Sequence, residues 1–116
     1  MEPIFNRTGR VVAWHHGNDI YHLNGFHVCF IDGTNVYGHS GQHLGVFTNG
    51  LFRDHHGGVV AFVRGATGGP VLPTQWAPPV PPVPSVAPVH AVPSVPPVPA
   101  VPSIRWGQEW EQFIKA

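Results

Sequence analysis

RVVAWHHGNDIYHLNG (Arg10–Gly25), FHVCFIDGTNVYGHSG (Phe26–Gly41) and QHLGVFTNGLFRDHHG (Gln42–Gly57) are three copies of one 16-residue unit, and GVVAFVRGATGG (Gly58–Gly69) is a fourth cut short. Glycine stands at the boundaries, at positions 9, 25, 41 and 57. A unit this short cannot bury its own apolar face, so it has to stack on its neighbours. The period therefore decides the architecture before any single residue does.

Each unit holds two β-type runs. The first runs are Val11–Trp14, His27–Phe30, His43–Phe47 and Val59–Val63; the second are Ile20–Leu23, Val36–His39 and Leu51–Asp54. Between them stand Gly17-Asn18-Asp19, Asp32-Gly33, Asn49-Gly50 and Arg64-Gly65, the residue types that tight hairpin turns demand. Asn24-Gly25, Ser40-Gly41 and His56-Gly57 make the return connections, so the chain is expected to run as an antiparallel meander. The opening segment, Ile4-Phe5-Asn6-Arg7-Thr8-Gly9, matches the second half of a unit, and the last unit lacks that half. A strand over residues 4–8 is thus expected to complete the fourth hairpin and close the ring, which removes both exposed edges.

Aligning the copies gives the expected packing. Val12, Val28, Leu44 and Val60 share one slot, and Trp14, Phe30, Val46 and Phe62 share the next on the same strand face; these eight are expected to form the core. Ala13, Cys29, Gly45 and Ala61 make a uniformly small slot on the opposite face. An aromatic slot reads Phe5, Tyr21, Tyr37 and Phe52, the third full unit having one residue fewer in its hairpin turn and one more before Gly57.

The opening EPIFNRTGRVVAW, the aromatic-x-x-x-Gly cadence, the RGATGGP junction and the valine-proline tail resemble the bacterial 4-fold β-flower proteins over nearly the whole chain. The resemblance implies a pseudo-fourfold arrangement of hairpins. It implies no activity and brings no catalytic residues with it. The expected fold is all-β: four β-hairpin repeats in a closed rosette over residues 1–69, a polyproline II arm over 70–102 and a short amphipathic helix over 103–116.

The arm has its own period. WAPPVPPVP, SVAPVHAVP and SVPPVPAVP span residues 76–102, and valine falls at Val80, Val83, Val86, Val89, Val92, Val95, Val98 and Val101, every third position. Polyproline II has three residues per turn, which lines all eight along one edge. At about 3.1 Å per residue the arm would reach on the order of 80 Å if straight, so it either bends around the domain or extends to other copies. Ser103 offers a helix N-cap, and Trp106, Trp110, Phe113 and Ile114 make one apolar stripe. The valine edge with Trp106, Trp110 and Phe113 is the expected partner-binding surface.

Charged residues are 10% of the 116, six basic against six acidic, which leaves no field to steer nucleic acid. No stretch approaches the roughly 18 apolar residues of a membrane span and no signal-peptide run opens the chain, so neither nucleic acid nor membrane is an expected partner and a cytoplasmic location is. The single cysteine, Cys29, rules out an internal disulfide framework.

The nine histidines raise the question of a metal. Neither His15-His16 nor His55-His56 has helical ligand spacing, and no CxxC exists. The better cluster is His27, Cys29 and His43, with His27 and Cys29 two apart on one strand and His43 in the slot equivalent to His27; imidazole and thiolate suit zinc or copper. A thiolate beside histidine would also suit a cysteine hydrolase. The structural alternative is a small core cysteine flanked by two half-exposed histidines. On balance the sequence predicts a non-enzymatic structural or interaction module that forms homo-oligomers, with a histidine-rich metal-binding protein as the competing reading and no cofactor beyond that metal.

Overall fold

Eight strands form where the glycine period predicts them. The computed structural model, which describes residues 1–85 and 90–115, has β1 (Glu2–Phe5), β2 (Val11–His16), β3 (Asp19–His22), β4 (His27–Asp32), β5 (Asn35–Gly38), β6 (His43–Thr48), β7 (Leu51–Arg53), β8 (Val59–Phe62) and one helical turn, α1 (Trp110–Phe113). The strands pair antiparallel in sequence order and close into a barrel. Three hairpins, β2–β3, β4–β5 and β6–β7, are continuous. The fourth is split across the chain: β1 pairs with β2 along its length and meets β8 where Phe5 lies opposite Phe62.

Register is strictly periodic. Pairing skips one residue at Val12, Val28, Leu44 and Val60, so each stands as a β-bulge at the same place in its unit. A bulge inserts one residue and reverses the facing of everything beyond it. This corrects the expected core. Ala13, Cys29 and Ala61, expected on the face away from the core, lie inside the barrel with Val28, Leu44, Val60 and the partners Ile4, Ile20, Val36 and Phe52. Each large interior side chain is paired with a small one: Ile4 with Ala13, Ile20 with Cys29, Val36 with Gly45 and Phe52 with Ala61. Trp14, Phe30, Val46 and Phe62 face outward instead, and all but Val46 are buried there.

The same register corrects the aromatic slot. No residue is missing from the third hairpin: Asn49-Gly50, both with positive φ, turns it in the same frame as Gly17-Asn18 and Gly33-Thr34. The residue equivalent to Phe5, Tyr21 and Tyr37 is therefore Arg53, while Phe52 points inward with Ile4, Ile20 and Val36.

The described residues of the arm lie against the barrel at four regularly spaced points. The N–H groups of Trp76, Ser85, Ser94 and Ser103, nine residues apart, donate to the carbonyls of Gly9, Gly25, Gly41 and Gly57, sixteen residues apart, at 2.9, 2.9, 2.9 and 3.1 Å. An extended proline-rich chain makes no internal hydrogen bonds, and proline supplies no N–H, so the repeated non-proline position is what the belt has to offer. Nine residues at about 3.1 Å span about 28 Å, a quarter of the perimeter of a disc about 36 Å across. The two periods match because of that length. Glycine is required at the docking points: Gly25 has φ +91°, and a Cβ there would collide with the Val83 carbonyl.

The C-terminal helix is shorter than expected. Ser103 caps no helix: its N–H makes the fourth docking bond and its Oγ accepts from the Arg105 N–H in a local turn. Residues 105–107 instead run beside β8, with the Val59 N–H donating to Arg105 O and the Gly107 N–H to Val59 O. The helical turn starts at Trp110 after a capping box between Glu109 and Gln112. Trp110 and Phe113 are buried in the barrel's interior cluster, with Trp110 edge-on to Phe52 at 5.6 Å. Gly45 leaves the room that the Phe113 ring takes.

Candidate functional site

The bulge at Val28 separates the residues expected to share a metal. His27 and Cys29 are two apart, which without a bulge would place them on one face; with it, Cys29 points into the barrel opposite Ile20 and His27 points outward opposite Tyr21. Cys29 is fully buried, and burial followed by the nearby Asp19 charge pushes its thiol pKa far up, which disfavours the thiolate that a ligand or a nucleophile needs. His43 lies in the β5/β6 seam, on the far side of the β4/β5 hairpin. The set His27, Cys29 and His43 is not brought together.

Two histidine clusters form in its place, in two seams under the belt that are separated by the β4/β5 hairpin. In the β3/β4 seam, His27 Nε2 is 2.8 Å from Asp19 Oδ1 and His27 Nδ1 is 2.8 Å from His39 Nδ1. In the β5/β6 seam, His43 Nε2 is 2.9 Å from Asn35 Oδ1 and His43 Nδ1 is 2.9 Å from His55 Nε2. Every member is shifted by sixteen residues, so these are one arrangement built twice. In the β1/β2 and β7/β8 seams the equivalent places are held by the apolar residues Pro3 and Val11, and Leu51 and Val59.

The belt distinguishes the two polar seams. His90 replaces the proline found nine residues away on either side, at Pro81 and Pro99. It stacks on Phe30 with centroids 4.3 Å apart and planes 7° from parallel, and its Nε2 lies 2.6 Å from Asp19 Oδ1. Asp19 thus accepts from two imidazoles. Burial lowers the His27 pKa despite the opposing hydrogen bond and charge of Asp19, and burial with the neighbouring His55 lowers that of His43. Both rings favour the neutral form, in which one nitrogen donates and the other accepts.

Asp19, His27 and His90 present one ligand atom each within 4.8 Å of one another. Zinc bonds of about 2.0–2.1 Å in tetrahedral geometry put ligand atoms about 3.3 Å apart, so the hydrogen-bond spacings of 2.8 and 2.6 Å would each have to open by more than about 0.4 Å to admit the ion. Sequence reasoning found His27 but missed its partners. His90 was legible as a break in the proline pattern; Asp19 reads as an ordinary turn residue.

The expected partner-binding residues divide. Val80, Val83, Val92, Val95, Val98 and Val101 are between 85% and 92% exposed, since the belt docks through its backbone and turns these side chains outward. Val86 and Val89 lie outside the described residues. Trp110 and Phe113 are committed to the chain's own core, and Trp106 is half-buried against Phe62 and the β8 edge. Among the described residues no helix is long and apolar enough to cross a membrane.

No curated protein and no solved structure matches this chain. A family model described as 4-fold beta flower protein matches residues 2–114, a span that takes in barrel, belt and terminal helix together. With four hairpins repeating every sixteen residues around a closed ring, the chain belongs to the 4-fold beta flower protein family.

Proposed function

We propose that this protein is a non-enzymatic interaction module that self-associates through the outward valine edge of its belt. The observation that supports the reading is the display itself: six valines on a backbone fixed by docking bonds, each more than four-fifths exposed. A pre-ordered apolar edge loses little conformational entropy on binding, and each valine buried contributes about 1.5 kcal/mol. With six acidic and six basic residues the chain carries no net charge to hold copies apart. The terminal helix is excluded from this role by its own burial. Light scattering over a concentration series tests the reading, comparing the full chain with Val92→Ser/Val95→Ser/Val98→Ser. Association lost in the triple variant is expected; a wild-type monomer throughout would refute it.

A second reading, transition-metal binding, is favoured by the convergence of Asp19, His27 and His90. Two imidazoles and a carboxylate suit zinc or iron(II). Zinc titration followed by calorimetry is expected to give one site that His90→Pro abolishes, proline being the residue at the equivalent belt positions. Equal binding by the His90→Pro variant would dismiss it.

A further inference from the structure

Four outward pairs occupy equivalent places between barrel and belt: Trp14 with Tyr21, Phe30 with Tyr37, Phe62 with Phe5, and Val46 with Arg53. In three of them aromatic faces aromatic, with ring centroids 5.4 Å apart in both the Phe30/Tyr37 and the Phe5/Phe62 stacks. In the fourth, a valine replaces one ring and the Arg53 side chain turns aside. Its Nη1 donates to Gly57 O at 2.7 Å and Ser103 O at 2.6 Å, and its Nη2 to Gly68 O at 3.1 Å. The space that two rings fill elsewhere is left as a cavity of about 580 Å3 between β6, β7 and belt residues 97–102.

The cavity's lining is mixed. Val46, Val98, Pro99 and Pro102 are apolar members, and Thr48, His43 and His55 line it together with Arg53. Arg53 is only 4% exposed, yet among the described residues no carboxylate comes within 4.0 Å of it. Its three acceptors are neutral carbonyls, which leaves two of the five guanidinium N–H groups without a protein acceptor. Asp54, the carboxylate lining the same cavity, is occupied by other donors: its Oδ1 accepts from the His56 and Gly58 N–H groups and its Oδ2 from Gln108 N–H. A buried cation without a counter-charge is costly, and the deficit is met when an anion arrives. Burial also lowers the guanidinium pKa, because desolvation disfavours its charged form.

We propose that this cavity is a binding site for a small aromatic monocarboxylate, its ring filling the place of the missing aromatic pair and its carboxylate meeting the free N–H groups of Arg53. Guanidinium and carboxylate match as paired donors and acceptors. A cavity of this size suits a single small molecule.

The test uses the full chain with benzoate and, as its uncharged counterpart of the same shape, benzamide. Calorimetry is expected to show one benzoate site with a dissociation constant below about 1 mM and benzamide bound at least tenfold more weakly. Because Arg53 also ties three segments together, the informative variant is Val46→Phe, which restores the ring found in the other hairpins. It is expected to keep or raise the melting temperature while weakening benzoate at least tenfold. No saturable benzoate binding, equal binding of benzamide, or undiminished benzoate binding by a folded Val46→Phe protein would each overturn the proposal.

Discussion

Barrel and belt are both repetitive, but they store their information in different parts of the residue. The barrel repeats every sixteen residues in side-chain slots: Ile4, Ile20, Val36 and Phe52 inside, with Ala13, Cys29, Gly45 and Ala61 opposite them. The belt repeats every nine in its backbone, through the N–H of Trp76, Ser85, Ser94 and Ser103, while its valines face solvent. A barrel side chain is therefore worth more to stability than a belt side chain, and a belt N–H is worth more than the valine beside it.

The largest test removes a barrel strand. Deleting residues 1–9 takes Ile4 and Phe5 from the core and opens the ring between β8 and β2; the expected result is loss of the cooperative thermal transition. A truncated protein with an unchanged melting curve would show that the split hairpin does not close the barrel. At the junction of the two regions, Gly25→Ala is expected to cost about 2 kcal/mol, combining positive φ with loss of the Ser85 docking bond. Urea denaturation measures it.

Within the belt the contrast sharpens. Ser85→Pro removes the N–H that reaches Gly25 and is expected to cost about 1 kcal/mol; Val83→Ser, two residues away but facing solvent, is expected to change stability by less than about 0.5 kcal/mol. Equal losses would erase the distinction between docking backbone and displayed side chain. The smallest effect is on acid stability. Burial holds the pKa of His27 below its usual 6.5, so protons bind the unfolded chain more readily. The contribution is complete above about pH 6.5 and is lost as the pH falls below it, and the melting temperature should decline accordingly. His27→Val, copying positions 11 and 59, should flatten the decline, although His43 and His15 are lowered by burial too.

Much of the fold was legible because hairpin turns are local. Asn49-Gly50 and the glycines at 9, 25, 41 and 57 announce turns whatever lies around them, and a half-unit at each end of the repeat identifies the split hairpin. The candidate site was less legible. Matching Phe5, Tyr21 and Tyr37 by aromatic character selected Phe52, whereas strict spacing lands on Arg53, the residue that makes its outward pair with Val46 unlike the other three. His27 and Cys29 looked like neighbours because strand alternation says so, and nothing local in His27-Val28-Cys29 reveals a bulge.

The sequence by itself determined the number of hairpins, the closure of the ring and the two periods, since each follows from local backbone preference and from counting. Tertiary structure decided which way the side chains face and what the periods are for. A bulge arises from how two strands pair, so only the assembled barrel places Cys29 inside and His27 outside. The nine-residue period likewise acquires its meaning only where an extended arm meets a ring of matching perimeter, bringing His90 to Asp19 across 71 positions of sequence.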